Sequence, residues 1–95
     1  MHAADVGRYD EAIGPLRRAV AADSTFAMAW RKLAAVLGNA RLPESERVAA
    51  AMKAYQYRDR LPEIERHLAD AFYFFAVDYD PERVVAAYRA VLQLD

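Results

Sequence analysis

A proline followed by a glutamate returns at a fixed interval along this chain. Pro43-Glu44, Pro62-Glu63 and Pro81-Glu82 stand 19 positions apart, and the same interval carried backwards reaches Ser24. Proline suits the first position of a helix, because the N–H that it lacks would have no partner there. A glutamate in the same turn faces the positive end of the helix dipole. The interval therefore predicts one helix and one turn in every 19 residues, with Ser24 capping the helix that follows it.

Apolar residues between these prolines recur at i, i+3 and i+4, which is typical of amphipathic helices. No window alternates with a period of two, so no strand is predicted. We expect one all-α domain over residues 1–95, built from about five antiparallel helices near residues 9–22, 25–38, 43–57, 62–77 and 81–94. The face expected to be buried holds Val48, Ala51, Met52 and Tyr55 in the third helix and Ile64, Leu68, Ala71, Phe72 and Phe75 in the fourth.

Pro15 leaves an alternative open in the first helix. A proline inside a helix removes a backbone hydrogen bond and favours a kink. Either the helix is kinked at this point, or it starts only at Gly14-Pro15. We favour the kink, because Tyr9 and Ile13 continue the apolar face set by Leu16.

Residues 7–37 resemble the tetratricopeptide repeat. Gly7-Arg8-Tyr9-Asp10-Glu11-Ala12-Ile13, followed by Leu16 and Ala19-Val20, is similar to the second helix of one repeat. Ala29-Trp30, Leu33-Ala34 and Leu37 are similar to the first helix of the next. The resemblance implies a right-handed solenoid of helical hairpins that binds protein partners. A hairpin of about 38 residues is longer than the roughly 34 of the standard repeat.

The sequence departs from this family in two places. Ser24 stands where the family usually has a proline. Arg47 and Ala51 fall where it has a small and a large residue, respectively, so the register of the third helix stays open. Residues 26–34 and 58–63 also resemble repeats found beside kinase or DNA-binding domains in bacterial signalling proteins. We therefore expect a piece of a larger regulator that begins in the middle of a repeat.

The resemblance also implies which residues contact a partner. In the family, the first helices of successive hairpins line a concave groove, and here these are the second and fourth helices. Carried over residue by residue, the groove-facing positions are Met28, Arg31, Lys32, Ala35, Asn39, Arg66, Ala69, Asp70 and Tyr73.

Three of these residues, Arg31, Lys32 and Arg66, suggest a positive cluster suited to an acidic peptide or a C-terminal carboxylate. The alternative is that they are solvated charges on an exposed face. One subgroup of the family clamps chaperone C-termini with lysine, arginine and asparagine. Asp70 and Ala35 depart from that clamp, which excludes this specific function.

Four consecutive aromatic residues, Phe72-Tyr73-Phe74-Phe75, cannot share one helix face, since successive residues are about 100° apart. Phe72 and Phe75 fit the buried face, which leaves Tyr73 and Phe74 to be explained. Either a neighbouring segment covers Phe74, or Phe74 is exposed and forms an apolar contact surface for a partner or for a second copy in a homodimer.

Several classes of function are disfavoured. A net charge of −1 offers no basic surface for nucleic acid, and the absence of cysteine excludes thiolate metal sites. No apolar stretch approaches the roughly 20 residues of a membrane span, and no signal peptide is visible. Ser24, Thr25 and Ser45 lie at predicted helix starts, and His67 with Glu63 is typical of a surface helical pair. We therefore expect a cytoplasmic interaction scaffold that is not an enzyme and has no cofactor or metal.

Overall fold

A computed structural model describes residues 4–40 and 44–94 of the chain, with side chains described for residues 11–38 and 44–94. Within these ranges the chain is all-helical and contains no strand. The helices are α1 Ala4–Ala22, α2 Ala27–Ala40, α3 Glu44–Gln56, α4 Glu63–Ala76 and α5 Pro81–Leu94, with a 3-10 turn over Arg58–Arg60. The predicted all-α fold of helical hairpins is confirmed.

The 19-residue interval between the prolines predicts the starts of α4 and α5 to within one residue. Helix α5 runs from Pro81 to Leu94, as predicted, and α4 begins one residue after Pro62. The predicted start of α3 at Pro43 lies outside the described residues. The 3-10 turn Arg58–Arg60 was not predicted, because nothing in its sequence distinguishes it from an ordinary connection.

Helix α2 begins at Ala27, two residues later than predicted. The Asp23 carboxylate accepts hydrogen bonds from the backbone N–H of Thr25 at 3.0 Å and from its hydroxyl at 2.7 Å. The N–H of Phe26 donates to the Asp23 carbonyl at 3.1 Å. These bonds hold residues 23–26 in a turn. The two bonds from Thr25, first that of its hydroxyl and then that of its N–H, hold the pKa of the Asp23 carboxyl below its usual value. Ser24 lies inside this turn, so the prediction that it caps α2 is wrong.

Helix α1 passes through Pro15 without interruption and begins at Ala4. The alternative start at Gly14-Pro15 is therefore wrong. Ile13, before the proline, is buried, and Leu16, after it, packs against the same core cluster. Continuous burial of this face stabilises the helix across the missing hydrogen bond.

The helices pack in chain order, and α2 also packs directly against α4. One core cluster joins α1, α2 and α3 and includes the fully buried Leu33 and Leu37. A second cluster joins α2, α3 and α4 through Ala27, Ala54, Leu61 and Ala69. Alanines at these crossings allow the helices to approach closely, while α5 packs chiefly on α4.

The buried faces of α3 and α4 differ from those predicted. In α3 the buried residues are Ala50, Ala51 and Ala54, whereas Met52 is exposed. In α4 they are Ala69, Ala71 and Phe74, whereas Ile64 and Phe75 are exposed. Helix α4 contacts α2, α3 and α5. Its small residues therefore occupy the close crossings, and its large apolar residues lie at the edges.

Candidate functional site

The α2 residues predicted to face a partner divide between two surfaces. Lys32 is exposed, and Met28 is half-buried against the second core cluster. Arg31 instead points toward α4, where its Nε lies 2.6 Å from Oε1 of Glu65. The Arg31 and Glu65 side chains are only 14% and 24% exposed. Arg31 is thus neutralised within the fold, and the side chain of Asn39 lies outside the described residues.

The predicted α4 residues face α3 and the turn that follows it. Arg66 donates to the carbonyl of Leu61 at 3.2 Å, and Ala69 is fully buried. Asp70 lies 3.8 Å from Nε of Arg58. Tyr73 stacks on Tyr55 of α3, with ring centroids 3.9 Å apart and planes 12° from parallel. The structure therefore does not gather Arg31, Lys32 and Arg66 into a free cationic surface.

A cation and two aromatic rings brace α3 against α4. The Arg58 guanidinium lies 4.0 Å from the centre of the Tyr55 ring, whose other face stacks on Tyr73. Arg58 also donates to the Tyr55 carbonyl at 2.9 Å. Burial raises the pKa of the Asp70 carboxyl, and the positive charge of Arg58 opposes that shift. Cation–π and stacking contacts of this kind stabilise packing between elements.

Phe74 is buried, with 8% of its surface exposed. It lies edge-on to Tyr55 and Tyr73, and the Arg83 guanidinium covers its ring at 5.0 Å. The suggestion that Phe74 forms an exposed rim for self-association is therefore wrong. The exposed member of the aromatic run is Phe75, at 58%.

An open groove of about 480 Å³ lies between the C-terminal halves of α2 and α4 and the first two turns and middle of α3 and α5. We call it the apolar groove. Small residues from α2 and α3 line one side, and aromatic residues from α4 and α5 line the other. Its lining residues are Ala34, Ala35, Gly38, Arg47, Ala51, Phe72, Phe75, Ala76, Val84 and Tyr88.

Among the described residues of this lining, Arg47 is the one that carries a charge. Its Nη2 lies 3.2 Å from Oε1 of Glu44, a mostly exposed side chain in the preceding turn. Its Nε is buried and has no hydrogen-bond partner in the described part of the chain. Arg47 therefore combines a buried, unsatisfied donor with an ion pair that is open to solvent.

Sequence reasoning found only Ala35 among the groove residues. The α4 side of the groove was not predicted, because the helical spacing of Phe72 and Phe75 placed both residues in the core. Arg47 stood out only as a departure from the family pattern. Such a departure is a usable signal, since a long cation in place of a small residue must find space at a surface or a cavity.

No group of three histidine, cysteine, aspartate or glutamate side chains in residues 11–38 and 44–94 is placed to hold a metal ion. His67 Nε2 lies 3.9 Å from Oε2 of Glu63, one helical turn earlier. No helix in the described ranges is long and apolar enough to cross a bilayer.

Fold and groove together define an all-α stack of helical hairpins with an apolar groove at one end. Comparison of the chain with protein families, with curated proteins and with solved structures finds no match.

Proposed function

We propose that this chain is a non-catalytic protein–protein interaction module of the tetratricopeptide type that holds a peptide or a partner helix in the apolar groove. The observation that carries the proposal is the exposure of two large side chains, Phe75 and Tyr88, on the wall of an open groove. Contiguous exposed apolar surface of this kind marks sites of protein association.

The shape of the groove favours a helical partner. Its volume of about 480 Å³ is that of a site for several anchoring side chains. An amphipathic helix presents such anchors at i, i+3 or i+4 and i+7 along one face. The small residues Ala34, Ala35 and Gly38 on the α2 side leave room for those anchors.

Charge favours an acidic residue on the partner. Arg47 lies in the lining, and Lys32 is exposed on α2 one turn before Ala35. A partner carboxylate could replace Glu44 on Arg47, because Glu44 is mostly solvated and its present ion pair contributes little. The proposed preference for acidic peptides thus rests on Arg47 and Lys32 rather than on Arg31 and Arg66.

The proposed setting follows from the resemblance to repeats of bacterial signalling proteins. In such a protein the module would act in the cytoplasm as a docking or spacing element beside other domains. Helix α2, which carries the second part of the tetratricopeptide pattern, also supplies one side of the groove.

The test is a comparison of two exposed apolar positions. Helical peptides are selected on the parent chain from a displayed library, and their dissociation constants are measured by calorimetry. Phe75→Glu should weaken binding about 30-fold, as expected for loss of one aromatic anchor. Met52→Glu, an exposed apolar position on α3 outside the groove, should leave binding unchanged. Equal affinity for both variants, with helicity intact by circular dichroism, would overturn the proposal.

A further inference from the structure

Helix α5 carries an apolar row without a covering partner in the described chain. Val85, Tyr88 and Leu92 lie at i, i+3 and i+7 and are exposed, Leu92 at 74%. Ala87 is the buried residue of this helix, and it lies on the side that packs against α4. Helix α5 is thus amphipathic with one apolar side packed and another left open to solvent.

Two residues of opposite charge lie along one edge of this row. Glu82 and Arg89 are both exposed and stand seven residues apart, so they lie two turns apart on the same edge of the helix. The separation along the axis is about 10 Å, too far for the two side chains to pair with each other. Within the described residues neither has an ion-pair partner.

We propose that α5 binds a second copy of this chain, with the two α5 helices packed antiparallel about a two-fold axis near Val85 and Ala86. In an isologous pair, any contact from residue i of one copy to residue j of the second is repeated from residue j of the first copy to residue i of the second. Glu82 of one copy then lies opposite Arg89 of the second copy, and the same contact recurs on the other side of the axis. The edge of α5 is therefore complementary to itself in this antiparallel register.

The same register matches the apolar residues. With Glu82 opposite Arg89, Leu92 of one copy reaches the level of Tyr79 of the second. Leu92 and Tyr79 are the two most exposed large apolar residues of the described chain, at 74% and 68%. One arrangement thus pairs Glu82 with Arg89 and covers the side chains of Leu92 and Tyr79.

Apart from Tyr88, which belongs to both, this surface is separate from the proposed peptide site. Glu82 and Arg89 do not line the apolar groove, whereas Tyr88 lies on its rim. The pairing of a 14-residue helix, about 21 Å long, makes a small interface. Small interfaces give weak and reversible association, so a dimer should form and dissociate with concentration.

The test uses charge inversion at the two flanking positions. Sedimentation equilibrium of the parent chain should show a shift from one chain to two between about 1 μM and 1 mM, the range of weak association. Glu82→Arg or Arg89→Glu alone places like charges at both contacts and should raise the dissociation constant about tenfold or more. An equimolar mixture of the two variants restores opposite charges and should form a 1:1 heterodimer. The double variant should dimerise like the parent.

Two results would overturn this inference. One is a parent chain that stays monomeric throughout that range, which would leave α5 to some other partner. The other is association that survives both single inversions, which would place the contact elsewhere on the molecule. Circular dichroism of each variant provides the control, because both positions are exposed and their substitution should leave the helical content intact.

Discussion

At the scale of single residues, Pro15 shows how far packing overrides local preference. A proline inside a helix removes one hydrogen bond and crowds the preceding turn, at a cost of about 3 kcal/mol. Here α1 continues through it. The proline ring is exposed, whereas Ile13 and Val20 of the same helix are buried in the first core cluster. The tertiary contacts of α1 therefore stabilise a helix that its own sequence weakens.

Replacing this proline should stabilise the fold. Pro15→Ala restores the missing N–H and removes no buried surface, while the unfolded chain gains freedom worth about 1 kcal/mol. We expect a net gain of about 1–2 kcal/mol in the free energy of unfolding, measured by urea denaturation. Pro81→Ala is the matched control, because Pro81 occupies the first position of α5 and is well tolerated there. A loss of stability in Pro15→Ala would show that the ring makes a contact that matters.

At the scale of elements, the contact between α2 and α4 joins consecutive hairpins. It combines buried alanines of the second core cluster, Ala27 from α2 and Ala69 from α4, with the ion pair of Arg31 and Glu65. The paired atoms are 2.6 Å apart but are not aligned for a hydrogen bond. Such a pair gains less than an aligned one, yet both side chains are mostly withdrawn from water.

Removing one partner of this pair should cost more than removing both. Arg31→Met leaves a partly buried carboxylate without its cation, so we expect a loss of about 1–3 kcal/mol in stability. Arg31→Met combined with Glu65→Met should lie within about 1 kcal/mol of the parent, since no unpaired charge remains. Urea denaturation of the parent, the two single variants and the double variant measures the coupling. Additive effects would show that the two side chains act independently.

The same contacts explain what sequence could and could not predict. Helix positions followed from Pro62, Pro81 and the apolar spacing, because these signals act locally. The buried faces of the helices could not be predicted in the same way. A periodic pattern marks one apolar stripe, whereas α4 packs against three neighbouring helices. Phe75 was therefore predicted to be buried, whereas the structure leaves it exposed. The environment of Phe74 was left open between burial under a neighbouring segment and an exposed rim, and the structure shows it buried. A site formed between two hairpins depends on those neighbours, so its walls could not be predicted from helix periodicity.

At the scale of the whole molecule, stability is unevenly distributed. Helices α1 to α4 share two core clusters, whereas α5 packs chiefly on α4 and contributes one buried alanine. Segments with few buried apolar contacts open locally at a lower free energy than the core. The helix that supplies Val84 and Tyr88 to the groove is thus also the one least tied to the core.

Amide hydrogen exchange should reveal this difference. At about 10 μM or below, where weak association is minor, the amides of α5 should exchange at least about tenfold faster than those of α4. Mass spectrometry of proteolytic peptides covering residues 63–76 and 81–94 measures both helices in one experiment. Equal protection of the two helices would show that α5 unfolds only with the whole domain.

Trp30 is the only tryptophan of the chain, and it lies where the two core clusters meet. Its indole N–H donates to the Ser24 carbonyl at 2.9 Å. Its fluorescence therefore reports on the junction of α1 to α4 and is blind to α5. If α5 unfolds first, the unfolding curve recorded by tryptophan emission will have a later midpoint than the one recorded by far-ultraviolet circular dichroism. The protein thus carries an intrinsic optical probe that distinguishes loss of its core from loss of its last helix.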